Sequence, residues 1–216
     1  MGIGSKVQPL PVSPEFSSTK VGDVEGGSYF EVEPDGTIVY HGDATAWDDL
    51  VGSLVARQLT SVVGTLQYNW DNSSITMQPG GTIDDQNDRL IFNFQYPHHA
   101  ITDGLMKLHI HWEQASTDQI EWTIQYRIQN NLGAKTEAWT TCTANSTNDS
   151  IAAYPGSGTF NQITRLCDVD MTGASLSATV EFRLARTDNT TQDIEATFVD
   201  AHVAADTAGS RQEFVK

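Results

Sequence analysis

The stretch "GLMKLHIHWEQ", Gly104 to Gln114, holds the residues best suited to chemistry: His109, His111 and Glu113 at alternate positions. On a strand, residues two apart share a face, and neutral imidazole with carboxylate is an ordinary donor set for zinc, iron or nickel. His98 and His99 lie just upstream in "QYPHHAITDG" and would approach them if the two segments paired as a hairpin. Met106, Leu108, Ile110 and Trp112 form the apolar phase of the same strand, so the histidines and Glu113 fall on its polar phase. Two readings follow. His109, His111 and Glu113 could bind a metal. Alternatively, His98, His99, His109, His111 and Glu113 face solvent or a neighbouring subunit, where imidazoles serve as hydrogen-bonding groups and pH-sensitive charges. The interface reading is preferred, and no cofactor is expected.

The same stretch resembles the first motif of the cupins, metal-binding jelly rolls, in which a Gly, five residues and His-x-His precede a Glu by three or four residues. Here four residues separate Gly104 from His109, and only Trp112 separates His111 from Glu113, so the glutamate comes too early. The second cupin motif needs a His after Pro-x-Gly, and "YPGSGTFNQI" has none after Pro155. Other chemistry is weaker still. The chain has no nucleophile elbow, phosphate-binding loop, dinucleotide fingerprint or Cys-x-x-Cys pair. Asp168 and Asp170, or Asp84, Asp85 and Asp88, lack the spacing and closing Glu of a calcium loop. No enzymatic activity is expected.

With 12 Lys and Arg against 28 Asp and Glu, the 216-residue chain has a formal charge of −16. Such a surface repels phosphate backbones and anionic lipid, which argues against nucleic-acid and membrane partners, and the basic residues read as scattered singly along the chain. Cys142 and Cys167 could form at most one disulfide and are expected as buried, reduced thiols. The first residues, "MGIGSKVQPLPVSPEF", lack the apolar segment of a secretory signal.

Strands must position whatever the chain binds. "IEWTIQYRIQ" alternates Ile120, Trp122, Ile124, Tyr126 and Ile128 with polar residues, and "RLIFNFQY" and "LSATVEFRL" repeat the pattern. "SYFEVEPDGTIVYHG" reads as a hairpin around Pro34-Asp35-Gly36. "TAWDDLVGSLVARQL" fits a short helix or two strands joined at Gly52. "IEATFVDAHVA" changes face near Asp200, which implies a bulge or a crossing between sheets. The expected fold is all-β: an antiparallel β-sandwich, jelly-roll-like, over residues 28–216, preceded by an extended N-terminal arm over 1–27. Trp112, Trp122, Phe92, Phe94 and Phe182 are expected in its core.

"GTIVYHGDATAWDDL", Gly36 to Leu50, resembles a Gly-Asp-Ala-Thr-x-Trp-Asp-Asp block, and "YPHHAITDGLMKLHIHWEQ", Tyr96 to Gln114, a Pro-His … His-Ile-His-Trp block. In that order the pair resembles virion structural proteins of tailed bacteriophages, over residues 28 to 205. The resemblance implies a setting without assigning catalytic residues. It suggests a non-enzymatic decoration or cement protein on the outer capsid surface, made in the host cytoplasm. Its partners would be the major capsid protein and further copies of itself, with a homo-trimer the leading arrangement. A tail or fibre component that recognises the host surface through the loop from Ala144 to Gly158 is the alternative, and a cupin-like metal enzyme a third.

Overall fold

A computed structural model describes residues 17–44, 46–56, 66–69, 73–84, 88–116, 118–136, 138–145 and 160–208. All of its regular elements are strands, and they form three antiparallel sheets. The first contains β1 (Thr19–Asp23), β2 (Ser28–Val32) and β3 (Ile38–His41) in that order. β2 and β3 are the hairpin read from the sequence. Gly36, at φ +90°, closes it with a backbone conformation that side-chain-bearing residues rarely adopt.

Next come β4 (Ala46–Gly52), β5 (Val55–Ala56), β6 (Leu66–Asn69), β7 (Ser74–Met77) and β8 (Arg89–Gln95). Of the two readings left open for 45–59, two strands form over the described residues 46–56. Gly52 ends the first, where an added Cβ would lie 2.8 Å from the Phe94 ring. β9 (Leu105–Gln114), β10 (Glu121–Gln129), β11 (Thr140–Asn145), β12 (Phe160–Asp170), β13 (Thr179–Arg186) and β14 (Ile194–Ala205) complete the chain.

Two packed sheets make the sandwich, with strand orders β11-β10-β13-β8-β5 and β12-β9-β14-β7-β6; β4 also pairs with β14. The pairings nest, β10 with β11, β9 with β12, β8 with β13 and β7 with β14, as in one long hairpin folded over on itself. The alternation read from the sequence sets the inner faces. Leu90, Phe92 and Phe94 meet Val180, Phe182 and Leu184 on one sheet, while Met106, Leu108, Ile110 and Trp112 line the other. The expected core aromatics are all buried, with Trp112 and Trp122 edge to face at 5.1 Å.

Three expectations change. Thr19–Asp23, placed in the arm, forms β1 against β2; residues 1–16 lie outside the described residues. β8 and β9 belong to different sheets, so the hairpin that would bring His98 and His99 to His109 is not formed. Cys142 and Cys167 form a disulfide rather than two thiols. Both side chains point inward from edge strands of opposite sheets, which brings their Cα atoms to 6.0 Å, a proximity that sequence spacing does not reveal.

One buried ion pair ties the sandwich together at the end of β13. Arg186, 1% exposed, donates to both carboxylate oxygens of Asp188, to the Met77 and Gln192 carbonyls and to Thr190. Asp188 also accepts the Glu121 and Thr190 amides. The pair thus links β13 to β7, β10 and the loop before β14. Burial acts to raise the Asp188 carboxyl, but the bonds from Arg186 and Thr190 outweigh it and lower its pKa. Stability from this group is therefore complete above about pH 4 and is lost as pH falls through the lowered folded value. Arg186→Ala should cost about 3–5 kcal/mol in urea denaturation, because it strands a buried carboxylate. Asp188→Asn should flatten the acid limb of the stability profile measured by the same denaturation.

Candidate functional site

The site grows from a single irregularity in β14. Glu195 and Ala196 pair with Glu113 and Trp112, after which the register shifts and Phe198 pairs with His111. The extra residue is Thr197, whose hydroxyl donates to the His111 carbonyl at 2.9 Å and so satisfies an acceptor at the break in the ladder. Beyond it, Val199, Ala201 and Val203 point into the core, and Phe198, Asp200 and His202 point out. This is the phase change visible in "IEATFVDAHVA". It brings Asp200 directly opposite His109, while β4 supplies Asp49 opposite His202.

Three imidazoles converge on one carboxylate there. Asp200 Oδ1 lies 3.6 Å from His109 Nδ1 and 3.4 Å from His111 Nε2, and Oδ2 lies 3.1 Å from His202 Nε2. His202 Nε2 is also 3.1 Å from Asp49 Oδ1. Although it occupies an outer face, the cluster is sheltered: His109 is 4% exposed and Asp200 7%. Phe198 stacks on His111 with ring centroids 3.9 Å apart, and His109 lies 4.4 Å from His202. Burial works to raise the Asp200 carboxyl, but the His109 contact and then the His111 and His202 imidazoles outweigh it and hold it at about 2. Asp200 is thus a carboxylate at neutral pH, held among nitrogen donors.

The residues expected from sequence divide. His109 and His111 enter this cluster. Glu113 does not; it sits opposite Glu195, whose carboxylate accepts from Ser74 and Thr76. His98 turns to the Ser177 hydroxyl, and His99 pairs with Asp48 at 2.8 Å. These two line an open groove of about 690 Å³ between β4 and β8, which, among the described residues, meets the cluster only through Asp49. The set His109, His111 and Glu113 therefore does not assemble; among the described residues, His109, Asp200 and His202 each bring one donor atom within 4.8 Å of the others. The acidic segments are otherwise engaged: Asp168 pairs with Arg165, Asp170 accepts from Thr172, and Asp88 accepts the Thr82 amide. Asp85 and most of the 144–158 loop lie outside the described residues.

The opposite outer face gathers basic residues that look scattered in sequence. Arg127 and Arg183 both lie over the Trp139 ring, at 4.5 and 3.8 Å. Burial first, and then repulsion from Arg89 and Arg127, lower the Arg183 pKa. Arg127 in turn bonds Glu181 at 2.6 Å. Cross-strand pairing of β8, β10 and β13 produces this patch, so no local run of sequence announces it.

No protein-family model matches the chain, and no curated protein matches it. Among the described residues, no helix is long and apolar enough to cross a membrane. What the fold and site define is a sandwich that presents a sheltered imidazole–carboxylate cluster on one outer face. Deleting Thr197 should remove the bulge and let β14 run unbroken, with Ile194, Ala196, Val199, Ala201 and Val203 still on one face and Phe198 still opposite His111. The expected result is a chain that still folds, with a change of no more than about 1–2 kcal/mol in urea denaturation; a deletion variant that no longer folds would contradict the role given to the bulge.

Proposed function

We propose that the chain is a non-enzymatic structural protein of a bacteriophage virion, most specifically a decoration or cement protein on the outer surface of the capsid. The observation that carries an assembly role is the β1–β3 sheet. By register, Val21, Phe30, Val32, Ile38 and Tyr40 share one face, and Lys20, Tyr29, Glu31 and His41 the other. Lys20 contacts both Tyr29 and Glu31, and His41 stacks on Tyr29, so the polar face is well knit. Yet no residue of the three strands is fully buried, and Val21 is 49% exposed. The sheet joins the sandwich through short backbone contacts, Tyr40 to Asp206 and Ala208 to Ile38. A three-stranded sheet gains its stability by burying one face, and this one is suited to do so against another subunit.

Three further features support this reading. The nested pairing of β7 to β14 is compatible with a jelly roll, an architecture used in viral shells. The charge of −16 suits the outside of a particle, away from packaged nucleic acid. The paired blocks at Gly36–Leu50 and Tyr96–Gln114 resemble those of tailed-phage virion proteins. The partners are then the major capsid protein and further copies of this chain, as a homo-trimer, without nucleic acid or membrane.

The test is immunogold electron microscopy, with antibody to this chain, on particles produced from the genome that encodes it. Gold over the heads is the expected result. Gold confined to tails or fibres would favour host-surface recognition instead. Particles without the chain would overturn both readings.

A further inference from the structure

We propose that His109, Asp200 and His202 bind one divalent first-row transition ion, with Zn²⁺ as the natural occupant and His111 reaching the same carboxylate. The inference is independent of the virion role and rests on what the buried atoms lack. His109 Nδ1, His111 Nε2 and Asp200 Oδ1 are all buried and make no hydrogen bond, although they face one another. Leaving such atoms unsatisfied is costly, and three at one point call for a common partner.

The spacing identifies the partner. Nitrogen–oxygen hydrogen bonds close to about 2.7–3.2 Å, shorter than the 3.6 and 3.4 Å that separate Asp200 Oδ1 from His109 and His111. Zinc bonds of about 2.0–2.1 Å in a tetrahedron place the ligand atoms about 3.3 Å from each other. The contacts of Asp200 Oδ1 with His109 and His111, at 3.6 and 3.4 Å, lie close to that value, and Asp200 Oδ2 stands 3.1 Å from His202 Nε2. One donor atom from each of His109, Asp200 and His202 falls within 4.8 Å of the others. Two imidazoles with one carboxylate form a nitrogen–oxygen set suited to zinc, cobalt, nickel or ferrous iron and poorly matched to calcium.

The surroundings fit a bound ion. Phe198 stacks on the His111 ring, and Asp49 Oδ1, 3.1 Å from the same His202 Nε2 that faces Asp200, adds a second carboxylate beside the site. His202 is about one-third exposed, which gives the ion a route in. The ligands come from neighbouring strands, so the ion would fasten β14 to β9 on the face opposite the core.

The experiment is Zn²⁺ titration of the tag-free, metal-stripped full chain, read by native mass spectrometry and calorimetry, with the melting temperature followed in parallel. One Zn²⁺ per chain and a raised melting temperature, reversed by chelator, are expected. His109→Ala and His202→Ala should each weaken binding at least about tenfold, whereas Glu113→Gln, on the same strand but outside the cluster, should leave it unchanged. His202→Ala alters a partly exposed residue and keeps the comparison decisive if His109→Ala misfolds. Failure to retain Zn²⁺ at stoichiometric concentration, or equal uptake by a folded His202→Ala chain, would overturn the proposal.

Discussion

The period of two along a strand constrains this protein more than any single contact. β14 lies between β9 on one side and β4 and β7 on the other, so its register decides what both faces of the sheet present. A strand of 12 residues without a break could not pack Ile194 and Ala196 together with Val199, Ala201 and Val203 on one face. The extra residue at Thr197 reconciles the two sets. Its by-product is an outward row of Phe198, Asp200 and His202 alongside His109 and His111. Core packing and the polar cluster thus follow from the same local feature, in keeping with the frequent use of bulges to re-aim side chains.

The rest of the sandwich is held by complementary means at its margins. The Arg186–Asp188 pair is satisfied from β7, β10 and the 187–193 loop, which gives a buried charge the several partners it needs. The disulfide joins the two edge strands β11 and β12 across the sandwich. Such bonds persist in oxidising surroundings. In contrast, the β1–β3 sheet has no buried interior of its own. The molecule is therefore well closed around its core and open at one attachment, a division of labour suited to assembly.

The sequence conveyed most of the fold because alternation is local. Each run from Arg89 to Tyr96, from Met106 to Trp112 and from Ile120 to Ile128 declares its own inner face. Residues 45–59 were ambiguous because Trp47, Leu50, Val51 and Leu54 fit helical spacing as well as a strand whose outer face keeps Trp47 and Val51, 54% and 71% exposed, in solvent. The site was legible only in part. His109 and His111 stand out on one strand, but Glu113 lay nearer in sequence than Asp200 and His202, which arrive from another strand nearly ninety residues later. The phase change near Asp200 was the one available signal, and it spoke of backbone geometry rather than of ligands. The disulfide and the Arg127–Trp139–Arg183 stack are equally non-local, fixed by strand order and not by spacing.

These features fit the proposal of a protein that acts by fitting against others. The sandwich supplies a rigid support, the formal charge of −16 disfavours contact with nucleic acid, and the β1–β3 sheet offers a face with no fully buried residue. The central claim is that this face is completed by another copy of the chain, and the most direct measurement is hydrogen exchange of the β1–β3 amides together with native mass spectrometry across a range of concentrations. The account predicts a trimer in which those amides become protected as the copies associate. A monomer at every concentration, with β1–β3 amides that exchange freely while the sandwich strands stay protected, would contradict it.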